Sequence, residues 1–167
     1  MYSYSESMTS EKQAPGQGAE INPEEEMVLG QIADMGGHSK IAQRHFLSAL
    51  EGFRMKGHRE GEASCLYSLG LISYSLAFVP ATDEMFVESK RFFLAESKRF
   101  FRKSLAINQE LENRLGEAVI MQNLGYIAKA CGDINEAKLL FQESLEINRE
   151  LGDRMGEESC QSSLDNI

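Results

Sequence analysis

Cationic residues are scarce in this chain: Lys and Arg number 17 against 26 Asp and Glu among 167 residues, a net charge of −9. A protein that grips nucleic acid through its phosphates needs a basic face, so that class is excluded. Cysteine is nearly as sparse. Cys65, Cys131 and Cys160 are odd in number and widely spaced, which fits neither a disulfide framework nor a zinc site; small buried hydrophobes are the simpler reading. The three histidines, His38, His45 and His58, form no metal-binding spacing, and no Gly-rich run ends in Gly-Lys-Ser/Thr. No Ser or Cys has a neighbouring base in a recognisable order. No apolar run approaches the roughly 18 residues of a membrane span, and the N-terminus lacks the basic and apolar regions of a secretory signal. These absences lead us to expect a cytoplasmic protein that needs no cofactor or metal and is not an enzyme.

What is present is repetition. Residues 1–22 are polar, with no apolar periodicity, and are expected to be a disordered tail. Asn22-Pro23 then offers a helix cap followed by a first-turn proline, and helical patterning begins. Phe101 and Gly116 reappear as Phe141 and Gly156, both 40 residues on; Phe46 and Gly61 reappear as Phe101 and Gly116, both 55 on. Landmarks that share a shift mark an internal repeat. Each unit has a helix with Leu-Gly in its middle (Leu29-Gly30, Leu69-Gly70, Leu124-Gly125), a turn, and a second helix carrying a phenylalanine. Glycine inside a helix costs about 1 kcal/mol relative to alanine, so its recurrence predicts close helix approach. The units are expected at about 23–60, 62–115 and 116–155, with 156–167 starting a further first helix.

The pattern Met121, Leu124, Gly125, Ala128, Ala137, Phe141 and Ser144 resembles the tetratricopeptide repeat. Leu29, Gly30, Ala33, Ala42, Phe46 and Ala49 match it in the first unit, and Leu66, Leu69, Gly70, Ser73, Ser97, Phe101 and Ser104 in the second. The long period is similar to the subgroup that includes kinesin light chain and Leu-Gly-Asn-repeat proteins, and the absence of tryptophan fits that subgroup. The resemblance implies an all-α, right-handed superhelical solenoid of helical hairpins that binds a peptide or partner protein on its concave face. Carried over by position, the groove residues of the second and third units include Tyr67, Leu71, Tyr74, Gln122, Asn123, Tyr126 and Lys129. Their amides and tyrosines suit an extended peptide backbone, although the tyrosines could instead pack between hairpins. With Lys129 as nearly the sole cation, the two-cation carboxylate clamp of some family members is not visible. Arg59, Arg114 and Arg154 repeat with their whole turns, which favours tying each turn to a neighbouring helix over an anion-gripping ladder.

The second unit has a fifteen-residue surplus, an insertion near 77–92. Pro80 stops one helix, Thr82 or Asp83 can cap the next, and Glu88-Ser-Lys-Arg-Phe-Phe93 is repeated at 96–101. An extended helix around 83–101 would carry Phe86, Val87 and Phe93 beyond the neighbouring hairpins and into water. The alternative to peptide binding is therefore self-association, a homodimer through this arm; the arm could also fold back onto its own array.

Overall fold

In the computed structural model, the structure describes residues 22–79 and 83–167, and for 83–86 the backbone only. The expected tail, apart from Asn22, lies outside the described residues. Seven helices follow one another: α1 Pro23–Met35, α2 Ser39–Lys56, α3 Arg59–Leu76, α4 Asp83–Glu110, α5 Arg114–Cys131, α6 Ile134–Leu151 and α7 Arg154–Asp165. No strand occurs among the described residues. The chain is all-α, a solenoid of helical hairpins α1–α2, α3–α4 and α5–α6 with α7 stacked at the end.

Local chemistry places the boundaries. The Asn22 side chain accepts from the amides of Glu24 and Glu25, with Pro23 in the first turn. His58, Asn113 and Asp153 start α3, α5 and α7 in the same way, each accepting from the amide three residues on (Gly61, Gly116 and Gly156). Such caps satisfy amides that have no partner within the helix. His38 precedes α2 without a side-chain cap, and His45 faces Glu26 at 2.9 Å, so the three histidines serve separate helix ends and surfaces.

Inside each hairpin a glycine admits a phenylalanine. A Cβ added to Gly30, Gly70 or Gly125 would stand 3.0, 2.7 and 2.8 Å from the rings of Phe46, Phe101 and Phe141 respectively. All three rings are buried. Buried serines add polar ties between the paired helices. Ser97 Oγ donates to Gly70 O, Ser104 Oγ to Ala63 O and Ser144 Oγ to Ala118 O, each at 2.8 Å. Leu124 and Phe141 are buried in the core.

Charged turns join successive hairpins. Arg59 pairs with Glu62 at 2.6 Å and reaches forward to Glu110 of α4. Arg114 repeats the arrangement with Glu117 at 2.7 Å and Glu150 of α6 at 3.1 Å. The repeated arginines tie turns to helices; at Arg154 no carboxylate lies within ion-pair range among the described residues.

The surplus of the second unit is divided. Helix α4 has 28 residues against 18 in α6, so it overhangs by ten residues, about 15 Å at ~1.5 Å per residue. That is less than the full surplus, because the remainder lengthens the connections at 77–82 and 111–113. Phe93 also departs from expectation. It is half-buried and packs on the cluster of Leu94, Phe101 and Tyr74, edge-on to the exposed Phe92 at 5.4 Å between centroids. This side of the arm lies against the end of α3, with Lys90 Nζ 5.1 Å from the Phe78 ring centroid. Val87 is exposed, and the Phe86 side chain lies outside the described residues.

Candidate interaction face

The first helices of the hairpins, α1, α3 and α5, border a depression of about 520 Å³. Helix α3 contributes Ser64, Tyr67 and Ser68, spacing that puts the three on one face. Gln31 enters from α1, Val119 from α5, and Leu111, Asn113 and Leu115 close the end nearest the turn. Tyr67 is half-buried, its ring tilted against Phe101 at 5.7 Å between centroids. Packing fixes the ring while its hydroxyl remains without a protein hydrogen bond among the described residues. The same holds for the Ser68 hydroxyl and the Gln31 amide. Ser64 differs, donating to Glu60 O at 2.8 Å. Three polar groups, two held on one rigid helix, are thus available to a ligand.

A second depression of about 560 Å³ lies between α5 and α7, bordered by Tyr126, Lys129, Ser159, Ser162, Ser163 and Asn166. Its polar groups are largely spent on each other. Gln122 Nε2 donates to Ser159 Oγ at 2.6 Å, the Tyr126 hydroxyl bonds the Ser163 hydroxyl at 2.9 Å, and Lys129 Nζ donates to Asn166 O at 2.9 Å. Every rung links residues 37 apart, so the two helices run parallel in a fixed register. Tyr126 also packs edge-on to Phe141 at 5.1 Å. Three of the residues expected to meet a partner are therefore joined to the chain's own last helix.

The rest of the expected set, Leu71, Tyr74 and Asn123, lines neither depression. Asn123 Nδ2 donates to Val119 O one turn back at 2.8 Å, leaving its carbonyl oxygen outward. Leu71 is exposed. Tyr74 lies tilted against Phe78 with ring centroids 5.0 Å apart; burial, and secondarily Tyr126, push its phenol above the usual range. Sequence reasoning did not foresee the α5–α7 ladder. Its trace was present, since 122, 126, 129 and 159, 163, 166 share the same internal spacing.

A family model described as tetratricopeptide repeat matches residues 86–150, from the overhang of α4 to the last turn of α6. The matched segment, from α4 to α6, is similar to the tetratricopeptide repeat. Helices α1 to α3 lie outside that match, yet Gly30 against Phe46 repeats the packing of Gly125 against Phe141. No curated protein matches the chain. Tetratricopeptide repeats generally mediate protein–protein interaction. No helix among the described residues is long and apolar enough to cross a membrane.

Proposed function

We propose that this tetratricopeptide array is an interaction module that binds an extended segment of a partner protein along the face formed by α1, α3 and α5. The observation that carries the reading is the depression at Tyr67, where a fixed aromatic ring stands beside the unpaired Ser68 hydroxyl and Gln31 amide. Such groups can donate to and accept from a peptide backbone, and tyrosine supplies contact area with a polar tip. Leu71, Tyr74 and Asn123 continue the track towards Tyr126 and Lys129, while Gln122 holds the α7 wall in place. The 40-residue spacing supports a place in the long-repeat subgroup with kinesin light chain.

Blocking the depression tests the reading. Ser68→Arg with Val119→Arg fills it without touching the buried Gly–Phe pairs. A partner captured by the parent and lost by this variant, but kept by Leu139→Arg on the exposed side of α6, is the expected result. Retention by both variants would sink the groove assignment.

A second reading is self-association through the α4 arm. Val87 and Phe92 are 57% and 59% exposed there, and apolar side chains of that size on an overhanging helix favour a contact.

A further inference from the structure

Two positions of α1 that are sealed in later hairpins are open to water. Leu29 and Ile32 stand where α3 has Leu69 and Ile72 and where α5 has Leu124 and Ile127. Those four are between 0% and 3% exposed, whereas Leu29 is 45% and Ile32 60% exposed. In α3 the pair is covered by Phe46, Leu50 and Phe53 of the preceding α2; in α5, by Leu94, Phe101 and Leu105 of the preceding α4. No helix stands in front of α1 among the described residues. Val28 and Met35, also exposed, extend the same apolar stripe.

Glu25 restricts what can cover that stripe. Its equivalents Cys65, Ile120 and Cys160 are buried, and Cys160 Sγ lies 3.2 Å from Ser144 Oγ of the helix packed over it. A helix laid on α1 in the same way would take the Glu25 carboxylate out of water. That is strongly unfavourable unless a cation meets it. The rest of α1 gives no help: it carries Glu24, Glu25, Glu26 and Asp34 and no basic residue. Glu24 is paired with Lys56 and Glu26 with His45, which leaves Glu25 and Asp34. The covering helix must bring apolar side chains together with Lys or Arg.

The chain carries such a surface on its own arm. A crevice of about 570 Å³ runs between the α4 overhang and the end of α5, edged by the exposed Val87, Ala95 and Cys131, with the buried Leu94 and Ile127 beneath. The charged side chains that line it, among the described residues, are Lys90, Arg91 and Lys98. Lys98 is held by Glu136 at 2.8 Å and Lys90 leans on Phe78, while Arg91 has no carboxylate partner among the described residues. The open face of α1 points away from α3 and the rest of the stack, so the arm cannot cover it within one molecule. We propose that α1 of one copy docks, through Leu29, Ile32 and Glu25, against the arm crevice of a second copy. Because two different surfaces meet, the contact is head-to-tail, and repetition gives rings or open chains. The proposal rests on the self-association reading and names its counter-surface.

Sedimentation of two variants, each checked for an unchanged helical spectrum and melt, decides it. Leu29→Ser with Ile32→Ser removes the α1 face; Lys90→Glu with Arg91→Glu reverses the arm. The wild type is expected to gain mass with concentration, and each variant alone to stay monomeric. An equimolar mixture of the two should form a 1:1 dimer and nothing larger, because one intact contact remains. Association that survives the α1 change but not the arm reversal would mean arm-to-arm pairing and overturn the proposal alone. A wild type that is monomeric at every concentration, with or without residues 1–21, overturns the proposal and the self-association reading together.

Discussion

Gly70 lies so close to the ring of Phe101 that a Cβ on it would stand 2.7 Å from Cδ1. Helix propensity alone says that Gly70→Ala should stabilise α3 by about 1 kcal/mol. Packing says the reverse, because the ring is fully buried and overfilled cores lose typically about 1–3 kcal/mol. We expect a lower melting temperature for Gly70→Ala, and the same for Gly125→Ala over Phe141. A raised melting temperature would mean the rings have room to retreat.

Glu62 gives the array an acid sensitivity of known sign. Burial pushes its carboxyl upward, but hydrogen bonds from Arg54 and Arg59 outweigh that and bring it below its ordinary value of 4.5. A lowered folded-state pKa contributes stability above the unfolded value, and that stability is lost as pH falls through the folded value. Glu62→Gln should therefore be less stable than the parent at neutral pH, with the gap closing below about pH 4.5. Urea unfolding of both proteins across that range measures it; a gap that does not change with pH would assign the loss to packing.

The ladder from α5 to α7 should behave as a unit. Tyr126→Phe deletes the hydroxyl that meets Ser163 at 2.9 Å and keeps the ring on Phe141. A net cost of about 0.5–1.5 kcal/mol is expected, with faster amide exchange confined to α7. In a double-mutant cycle with Ser163→Ala the losses should fall short of additive. Strict additivity would show that the two hydroxyls do not depend on each other.

The thiols should divide by burial. Cys65 and Cys160 are buried and Cys131 is exposed; burial pushes the Cys65 thiol up to about 12. The thiolate is the reacting form, so a chromogenic disulfide reagent should titrate one thiol promptly in the native protein. The other two should appear only with denaturant. Prompt reaction of a second thiol would show that the α2–α3 or α6–α7 seam opens readily.

Much of this architecture is written in the sequence because each repeat brings its partners along. Gly30, Gly70 and Gly125 occur with Phe46, Phe101 and Phe141, so recognising one pair supplies the others. Asn22-Pro23 announces α1, and the doubled Ser-Lys-Arg-Phe-Phe announces the long α4. Leu29 shows the limit: it matches Leu69 and Leu124 letter for letter, yet it is exposed, because burial depends on a neighbour that α1 lacks among the described residues. Phe93 shows another, since which side of the arm meets α3 does not follow from helical spacing. Gln122, Tyr126 and Lys129 satisfy a groove pattern and a ladder pattern equally well. Only the placement of α7 shows that their side chains are already bonded.

Each helix packs chiefly on the helices next to it in sequence, α3 on α4, α5 on α6 and so on along the stack. No strong contact has to wait for distant parts of the chain to meet, so the loops closed during folding are short and folding should be fast. The same arrangement governs failure. Pulled by its ends, the molecule has no bond among the described residues linking first hairpin to last, and it should lengthen in steps, shedding one hairpin at a time while the rest stay folded.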